Sequence, residues 1–144
     1  MPTDAPKELR STCPIAAALD ILGDRWTLVI LRDVLFGERY QFSQMGSDER
    51  IASNVLTERL ERLEREGLLE KRRDPFDGRR NIYLPLQRAF ELIPLLVDLA
   101  VWGRTHTSAT GASEVVRMAK KDRDAIIARL TSRAISAAKL ERES

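Results

Sequence analysis

Residues 51–80 read IASNVLTERLERLEREGLLEKRRDPFDGRR, and this stretch decides the fold. Its first half predicts an amphipathic helix, because leucines recur at the i, i+4 and i+7 positions of a single helical face. These leucines are Leu56, Leu60 and Leu63. Ser53 is expected to cap the start of the helix with its hydroxyl, and Gly67 is expected to end it.

The second half of the stretch predicts a basic β-hairpin. Two strand-like runs, 68–73 and 81–84, flank a turn that contains Asp77-Gly78. Residues 71–80 carry five basic and two acidic side chains, a local charge of +3. A short helix followed at once by a basic hairpin is the arrangement of a recognition helix and a wing. The predicted fold is therefore mainly α with a small β-hairpin, a winged helix-turn-helix.

The composition limits what else the chain could be. Its 144 residues include 24 Lys and Arg against 22 Asp and Glu, so any DNA footprint must be local. A single cysteine and a single histidine leave no intrachain disulfide and no cysteine or histidine metal cluster. No cofactor is predicted. There is no apolar run of about 20 residues, and the first ten residues lack the apolar core of a signal peptide. We expect no membrane association and a cytoplasmic location.

The residues before the central stretch predict an arm and two or three helices. Residues 1–11 are polar and are expected to form a flexible N-terminal arm. A first helix should open at Pro14 and end at Gly23. A second helix, 25–36, should be capped by Asp24. Apolar side chains cover nearly its whole circumference, which is typical of a helix in the middle of a core. Residues 38–41 could form a short strand that pairs with the wing, 42–48 a third helix, and 49–51 the turn before the recognition helix.

The residues after the wing predict further helices. Pro85 should end the second wing strand. A helix over 87–105 is expected to kink or break at Pro94. After a small-residue linker at 107–113, a final helix over 114–140 has a thin apolar stripe that needs a partner. We therefore divide the chain into the arm 1–11, a winged-helix domain with dimerisation helices at 12–106, and a linker with a C-terminal helical extension at 107–144.

Polar side chains on the side of the recognition helix opposite its leucines are the first DNA-binding candidates. Asn54 could pair with adenine, and Thr57 could contact a thymine methyl group. The alternative is a solvated polar face with Glu58–Arg62 and Glu61–Arg65 ion pairs. Arginines at a hairpin tip can enter a narrow minor groove, although they could also serve only to keep the wing soluble. The full predicted DNA-binding set is Arg39, Ser43, Gln44, Ser53, Asn54, Thr57, Arg62, Arg72, Arg73, Arg79 and Arg80.

An ordered set of short motifs resembles the HxlR-type transcription regulators, relatives of the MarR-type winged-helix proteins. The resemblance covers residues 13–103. Its first motifs are Cys13-Pro14, Gly23-Asp24-Arg25-Trp26-Thr27-Leu28, Ile30-Leu31-Arg32, Phe36-Gly37 and Phe42-Ser43-Gln44-Met45. The later ones are Ile51-Ala52-Ser53-Asn54-Val55-Leu56-Thr57, Arg59-Leu60, Leu63, Gly67-Leu68-Leu69, Tyr83, Pro94 and Trp102-Gly103.

The resemblance implies a dimeric bacterial regulator that binds double-stranded DNA through a winged-helix domain. The chain departs from the family where residues 85–89, Pro-Leu-Gln-Arg-Ala, replace the usual Leu-Thr-Glu-Lys-Gly. The threonine cap and the glycine expected at that helix start are missing. A homodimer is also predicted from the chain itself, because the first helix and residues 92–102 and 114–140 carry more apolar surface than one small domain can cover.

Cys13 is a candidate redox sensor, because a thiol at a helix N-terminus can react with oxidants or electrophiles. Some members of the resembled family use a cysteine at this position in that way. The alternative is an inert, buried apolar side chain. With no second cysteine, any switch would need a Cys13–Cys13 link across a dimer or an adduct on the thiol. A small-molecule effector is a further expected partner.

Two other functions compete with sequence-specific transcription regulation. One is a winged-helix protein–protein adaptor without specific DNA binding, which binding measured in moderate salt would separate from a DNA-binding protein. The other is a small enzyme. The sequence has no Gly-x-Ser-x-Gly motif, no phosphate-cradling glycine loop and no His/carboxylate/nucleophile set. We therefore predict that the protein has no catalytic or metal site.

Overall fold

The computed structural model describes residues 8–144, and over that range the chain forms helices and one hairpin. The elements are α1 (Pro14–Leu22), α2 (Thr27–Phe36), a 3-10 helix (Phe42–Gln44), α3 (Ser53–Arg65), β1 (Leu69–Arg73), β2 (Asn81–Pro85), α4 (Gln87–Phe90), α5 (Ile93–His106), α6 (Ser113–Lys121) and α7 (Arg123–Glu143). The two strands pair antiparallel, from Leu69 opposite Pro85 to Arg73 opposite Asn81. The predicted fold class is confirmed.

Most of the predicted N-terminal arm, residues 1–7, lies outside the described residues. Where the described chain begins, Arg10 approaches the first helix. Its guanidinium Nη2 lies 2.8 Å from Oδ1 of Asp20 in α1. Both side chains are exposed, so this ion pair contributes little to stability.

Helix α2 lies at the centre of the core, as its all-round apolar sequence predicts. Its buried apolar residues are Ile30, Leu31, Val34 and Leu35. Asp24 lies just before this helix, and its Oδ1 accepts hydrogen bonds from the backbone N–H groups of Trp26 (2.8 Å) and Thr27 (3.0 Å). The helix nevertheless begins at Thr27 and not at Arg25, and Trp26, not Asp24, occupies the N-cap position.

The third helix is shorter than the predicted range 42–48. A 3-10 turn ends at Gln44, and Gly46 then takes a left-handed conformation with φ of 64°. The backbone N–H of Gly46 donates a 2.7 Å hydrogen bond to Oδ2 of the buried Asp33. A Cβ added at Gly46 would lie 2.7 Å from Cγ2 of Ile51, so the turn requires glycine. These two constraints replace the last predicted helical residues with the turn that leads into α3.

Helix α3 ends as predicted but starts differently. Ala52 occupies the N-cap position and makes no side-chain cap, and Ser53 is already the first helical residue. The predicted Ser53 cap is therefore wrong. At the other end, Gly67 has φ of 73° and donates to the carbonyl of Glu64, while Leu68 donates to the carbonyl of Leu63. This pair of bonds is a Schellman motif, and it turns the chain directly into β1.

The connector before the 3-10 helix pairs with the wing, as expected. Gln41 forms an isolated antiparallel bridge with Ile82, and the backbone N–H of Tyr83 donates to the carbonyl of Tyr40 over 2.9 Å. The pairing places the start of the helix-turn-helix beside the second wing strand.

The predicted helix over 87–105 is broken near Pro94, as expected. Leu86 stands at the N-cap of α4 without a side-chain hydrogen bond, and α4 is only four residues long. Pro94 then lies in the first turn of α5, where a missing N–H costs nothing.

The predicted final helix is two helices. Asp122 ends α6 and caps α7, since its Oδ1 accepts a 3.1 Å hydrogen bond from the backbone N–H of Ala125. Helix α7 packs on α2, α4 and α5, with Ile126, Ala134 and Ala138 buried. The apolar stripe of this segment thus finds its partner within its own chain. No helix in residues 8–144 is long and apolar enough to cross a membrane.

Candidate nucleic-acid interface

The first turn of α3 presents polar side chains to solvent. Ser53, Asn54 and Thr57 are exposed, while the opposite face is anchored in the core by the buried Leu56, Leu60 and Leu63. The hydroxyl of Thr57 donates to the carbonyl of Ser53 over 2.9 Å, so its hydrogen is used within the helix. Within residues 8–144 the side chains of Ser53 and Asn54 have no hydrogen-bond partner, which leaves their polar atoms available to a ligand.

Two arginines of α3 point back towards the start of α2. Arg62 forms an ion pair with Asp24 and donates to Oγ1 of Thr27 over 2.9 Å. Nε of Arg59 lies 3.1 Å from Oδ1 of the same carboxylate. Only 20% of the Arg62 side chain is exposed. The guanidinium of Arg62 therefore joins α3 to the start of α2, and this engagement argues against its predicted role in DNA binding.

Asp24 is the centre of this inner ion-pair cluster. Partial burial acts to raise its pKa, but hydrogen bonds from the Thr27 hydroxyl, the backbone N–H groups of Trp26 and Thr27, and Arg59 outweigh it. Together they hold the pKa of the Asp24 carboxyl well below its usual range. The cluster is consequently ionised at neutral pH and fixes the angle of α3.

The inward arginines leave the outer face of α3 more acidic than the sequence suggests. The expected Glu58–Arg62 pair is absent, because Arg62 binds Asp24 and Glu58 pairs with Arg59. The exposed charged residues of the later turns are Glu58, Glu61, Glu64 and Arg65. DNA phosphates would be repelled along that part of the helix. The charge distribution therefore favours the first turn of α3 over its later turns as the part closest to a polyanion.

An open crevice of about 340 Å³ lies between the 3-10 helix and the wing. It is lined by Gln41, Phe42, Ser43, Arg80, Asn81 and Tyr83. Nη1 of Arg80 donates to Oε1 of Gln41 over 3.4 Å across it. The crevice brings together the predicted residues Ser43 and Arg80, and its hydroxyl, amide and guanidinium groups suit a phosphate.

Gln41 and Asn81 were not among the predicted DNA-binding residues. The expected pairing of residues 38–41 with the wing could have identified them, because that pairing brings Gln41 close to the second wing strand, where Asn81 lies. The side chains of the predicted residues Gln44 and Arg39 already form contacts within the chain. Oε1 of Gln44 accepts from the backbone N–H of Gln41 over 3.2 Å, and Arg39 pairs with Asp48 at 3.1 Å.

The wing arginines are exposed but already take part in contacts within the hairpin. Arg79 is 91% exposed and lies 3.2 Å from Asp77, whose pKa this hydrogen bond lowers. Arg80 lies 3.4 Å from Asp77. Further down the hairpin, Arg72 pairs with Glu70 at 3.0 Å, and Arg73 donates to the carbonyl of Gly78. These contacts pre-position the guanidinium groups, and their exposure in high-dielectric solvent allows phosphates to replace the carboxylates.

No group of three or more His, Cys, Asp or Glu side chains in residues 8–144 could hold a metal ion. Cys13 is exposed and free at the N-cap of α1. The alternative of a buried apolar side chain at this position is therefore wrong.

The family assignment follows from a match over most of this fold. Residues 21–110 match the family described as HxlR-like helix-turn-helix. The chain belongs to this family. The matched range contains the crevice, α3 and the wing, whereas α6 and α7 lie beyond it. The predicted resemblance is confirmed.

Relatives and solved structures agree with the assignment. The uncharacterised HTH-type transcriptional regulator Rv3095 of Mycobacterium tuberculosis is 34% identical over 89 residues, which are 62% of this chain and 56% of that protein. The uncharacterised HTH-type transcriptional regulator sll1512 of Synechocystis is 28% identical over 87 residues, 60% of this chain and 64% of that protein. The matched stretch thus spans little more than half of the first of these proteins. Both are named as regulators and not as enzymes, in agreement with the sequence-based prediction.

The crystal structure of PA1607, described as a candidate transcription factor, superposes with a TM-score of 0.63 at 29% identity, covering 71% of this chain and 70% of that one. The reduced form of the transcriptional regulator YodB from B. subtilis gives 0.54 at 24% identity, covering 68% and 97%. The second likeness shows a shared fold.

Proposed function

We propose that the protein is a transcription regulator that binds a palindromic operator as a homodimer and reads its sequence with the first turn of α3. The observation that carries this proposal is the pair of exposed, unpartnered side chains Ser53 and Asn54 beside a wing whose Arg79 is 91% exposed. Membership of a helix-turn-helix family supports the same function.

In this proposal, different elements of the fold contact the bases and the phosphates. Asn54 can form a bidentate pair with adenine, and the methyl group of Thr57 can contact thymine. Phosphates are held by Ser43, by the crevice around Arg80, and by Arg72, Arg73 and Arg79 on the wing. The acidic outer face of the later α3 turns limits close contact to the helix start.

A homodimer follows from apolar side chains that this chain leaves uncovered. In α5, Leu95, Leu99 and Trp102 are exposed at i, i+4 and i+7, so they form one stripe. In α1, Ile15 is 72% exposed and Leu19 is also exposed one turn later. A second copy would bury both stripes. Two-fold symmetry would then place two recognition helices about 34–36 Å apart, one helical turn of DNA.

Cys13 offers a route for regulation by thiol-reactive agents. It lies at the start of α1, the helix whose exposed Ile15 and Leu19 belong to the proposed dimer surface. A disulfide between two Cys13 residues, or an adduct on each, would alter the packing of α1 and hence the spacing of the recognition helices. A small apolar effector could act nearby, in the open groove of about 330 Å³ between α1 and α4 that includes Ala18 and Leu92.

Selection of bound sequences from a random double-stranded DNA library tests the proposed function. We expect enrichment of one palindromic sequence whose binding survives at about 150 mM salt and weakens linearly on a log–log plot of salt concentration. The adaptor alternative predicts no enriched sequence and loss of all DNA binding at moderate salt. Enrichment of a motif with no two-fold symmetry would contradict the homodimer part of the proposal.

A further inference from the structure

The tip of the wing carries an exposed aromatic side chain that neither the core nor the phosphate contacts use. Phe76 is 85% exposed, more than any other large apolar side chain in residues 8–144. It lies in the loop 74–80 between β1 and β2, beyond two strands of five residues each. The fold itself gives no reason for a phenyl group here, because β2 packs on the core from Ile82 to Pro85 and Phe76 lies beyond that buried part of the hairpin.

The loop holds Phe76 in a defined position. The carboxylate of Asp74 is buried, and its Oδ1 accepts hydrogen bonds from the backbone N–H groups of Phe76 (2.8 Å) and Asp77 (3.4 Å). The backbone N–H of Asp74 donates to the carbonyl of Arg80 over 2.9 Å, and that of Arg80 donates to the carbonyl of Asp77 over 3.0 Å. Pro75 further restricts the backbone just before the aromatic residue.

The surroundings of Phe76 indicate what it would contact. An apolar docking site for another protein is normally a contiguous patch, but Phe76 is flanked in the sequence by charged residues. The exposed ones are Arg73, Arg79 and Arg80, and Asp77 pairs with Arg79 and Arg80. A single apolar group among guanidinium groups matches a polyanion with an apolar interior. Minor-groove proteins combine these two features, with basic residues on the backbone and an apolar wedge such as Phe between base pairs.

We propose that Phe76 enters the minor groove and wedges between two adjacent base pairs while the wing arginines hold the flanking phosphates. This inference rests on the proposed DNA-binding function and adds a specificity-determining residue to it. Pyrimidine–purine steps unstack most readily, so the wedge would favour such a step at each end of the operator. In a two-fold symmetric complex the two wings would bend the duplex at two symmetric positions.

The test uses the full-length protein and the operator obtained by library selection, with 2-aminopurine placed in turn at each outer base step. We expect wild-type protein to raise 2-aminopurine fluorescence at one symmetric pair of outer steps and to bring dyes at the two duplex ends closer together. Phe76→Ala should abolish both signals, whereas Phe76→Leu, which keeps an apolar wedge, should retain part of them. Preference for a pyrimidine–purine step should fall about tenfold in Phe76→Ala, within the usual range for one base-pair position.

Two controls separate the wedge from other effects. Phe76→Ala removes no charge, so its salt slope should equal that of wild type, while Arg79→Ala should lower the slope and leave the step preference unchanged. Because Phe76 is exposed, its removal should not change the thermal midpoint. Equal fluorescence and end-to-end distance for wild type and Phe76→Ala on a tightly bound operator would overturn this inference alone. Absence of any selected operator would overturn the proposed function and the inference with it.

Discussion

Nη1 of Arg80 donates a hydrogen bond to Oε1 of Gln41 over 3.4 Å, joining the wing to the residue just before the 3-10 helix. The main chain reinforces this link, since Tyr83 donates to the carbonyl of Tyr40. Both partners of the first bond also line the crevice of about 340 Å³. A phosphate in that crevice would therefore contact the wing and the helix-turn-helix at once, and would fix the wing relative to α3.

The double variant Arg79→Ala with Arg80→Ala should weaken binding to every DNA sequence. Removing one phosphate-binding side chain lowers the slope of log affinity against log salt by about 0.9, and the selected base preferences should stay unchanged. Titrations at several salt concentrations measure both. A matched control, Arg117→Ala with Lys121→Ala, removes two charges from α6, which packs on α5 and α7. Equal slopes for the two double variants would show that the wing does not lie on the DNA backbone.

Leu99→Glu should disrupt the proposed dimer without unfolding the chain, because Leu99 is exposed in the folded subunit. Sedimentation at micromolar concentration should show a dimer for wild type and a monomer for this variant. Leu140→Glu is the matched control, since Leu140 is an exposed leucine on α7. A monomeric wild type, or a Leu99→Glu dimer of unchanged strength, would contradict the assignment of the α5 stripe.

Gly46→Ala should destabilise the fold by about 2 kcal/mol, the usual scale for a non-glycine residue in a left-handed conformation. The new Cβ would also lie 2.7 Å from Ile51 Cγ2. Urea unfolding measures the free energy, and Gly111→Ala provides the control because a Cβ there meets nothing within 4 Å. A Gly46→Ala protein as stable as Gly111→Ala would show that this turn is not constrained as described.

The Asp24 cluster should stabilise the protein at neutral pH and lose that effect in acid. The folded-state pKa of Asp24 lies below the ordinary aspartate value of 3.8, so the unfolded chain binds the proton first. The stabilisation is complete above about pH 3.8 and disappears as pH falls through the lower folded pKa. Urea unfolding between about pH 7 and pH 2 should show that the free energy of unfolding falls less on acidification for Asp24→Asn than for wild type. Asp124→Asn, which alters a 96% exposed carboxylate, should follow the wild-type curve.

Oxidation by diamide should reduce operator affinity of wild type and leave Cys13→Ser unaffected, if Cys13 regulates the dimer. Non-reducing gels would show whether the product is a Cys13–Cys13 cross-linked dimer, because one cysteine per chain allows no intrachain disulfide. An unaltered wild-type affinity, or an equal response from Cys13→Ser, would exclude thiol sensing at this position.

Periodicity and turn residues were enough to predict the core elements. The spacing of Leu56, Leu60 and Leu63 predicted α3, and Gly67 predicted where it ends. Both predictions succeeded because they depend on residues that are close together in the sequence. Three features depended on long-range contacts and were missed. Asp33, which is distant in sequence, holds the Gly46 turn and shortens the third helix. Asp24 pairs with Arg62 and leaves only 20% of its side chain exposed. The tertiary packing of α7 covers an apolar stripe that the sequence had assigned to a dimer contact.

The central claim is that the first turn of α3 reads base edges, and repeating the library selection with Asn54→Ala tests it most directly. We predict that the preference at one symmetric pair of operator positions relaxes by about tenfold, the scale of discrimination that one bidentate side chain–base pair provides. The salt slope and the remaining base preferences should match those of wild type. The same selected sequence with undiminished preference at every position would contradict the claim.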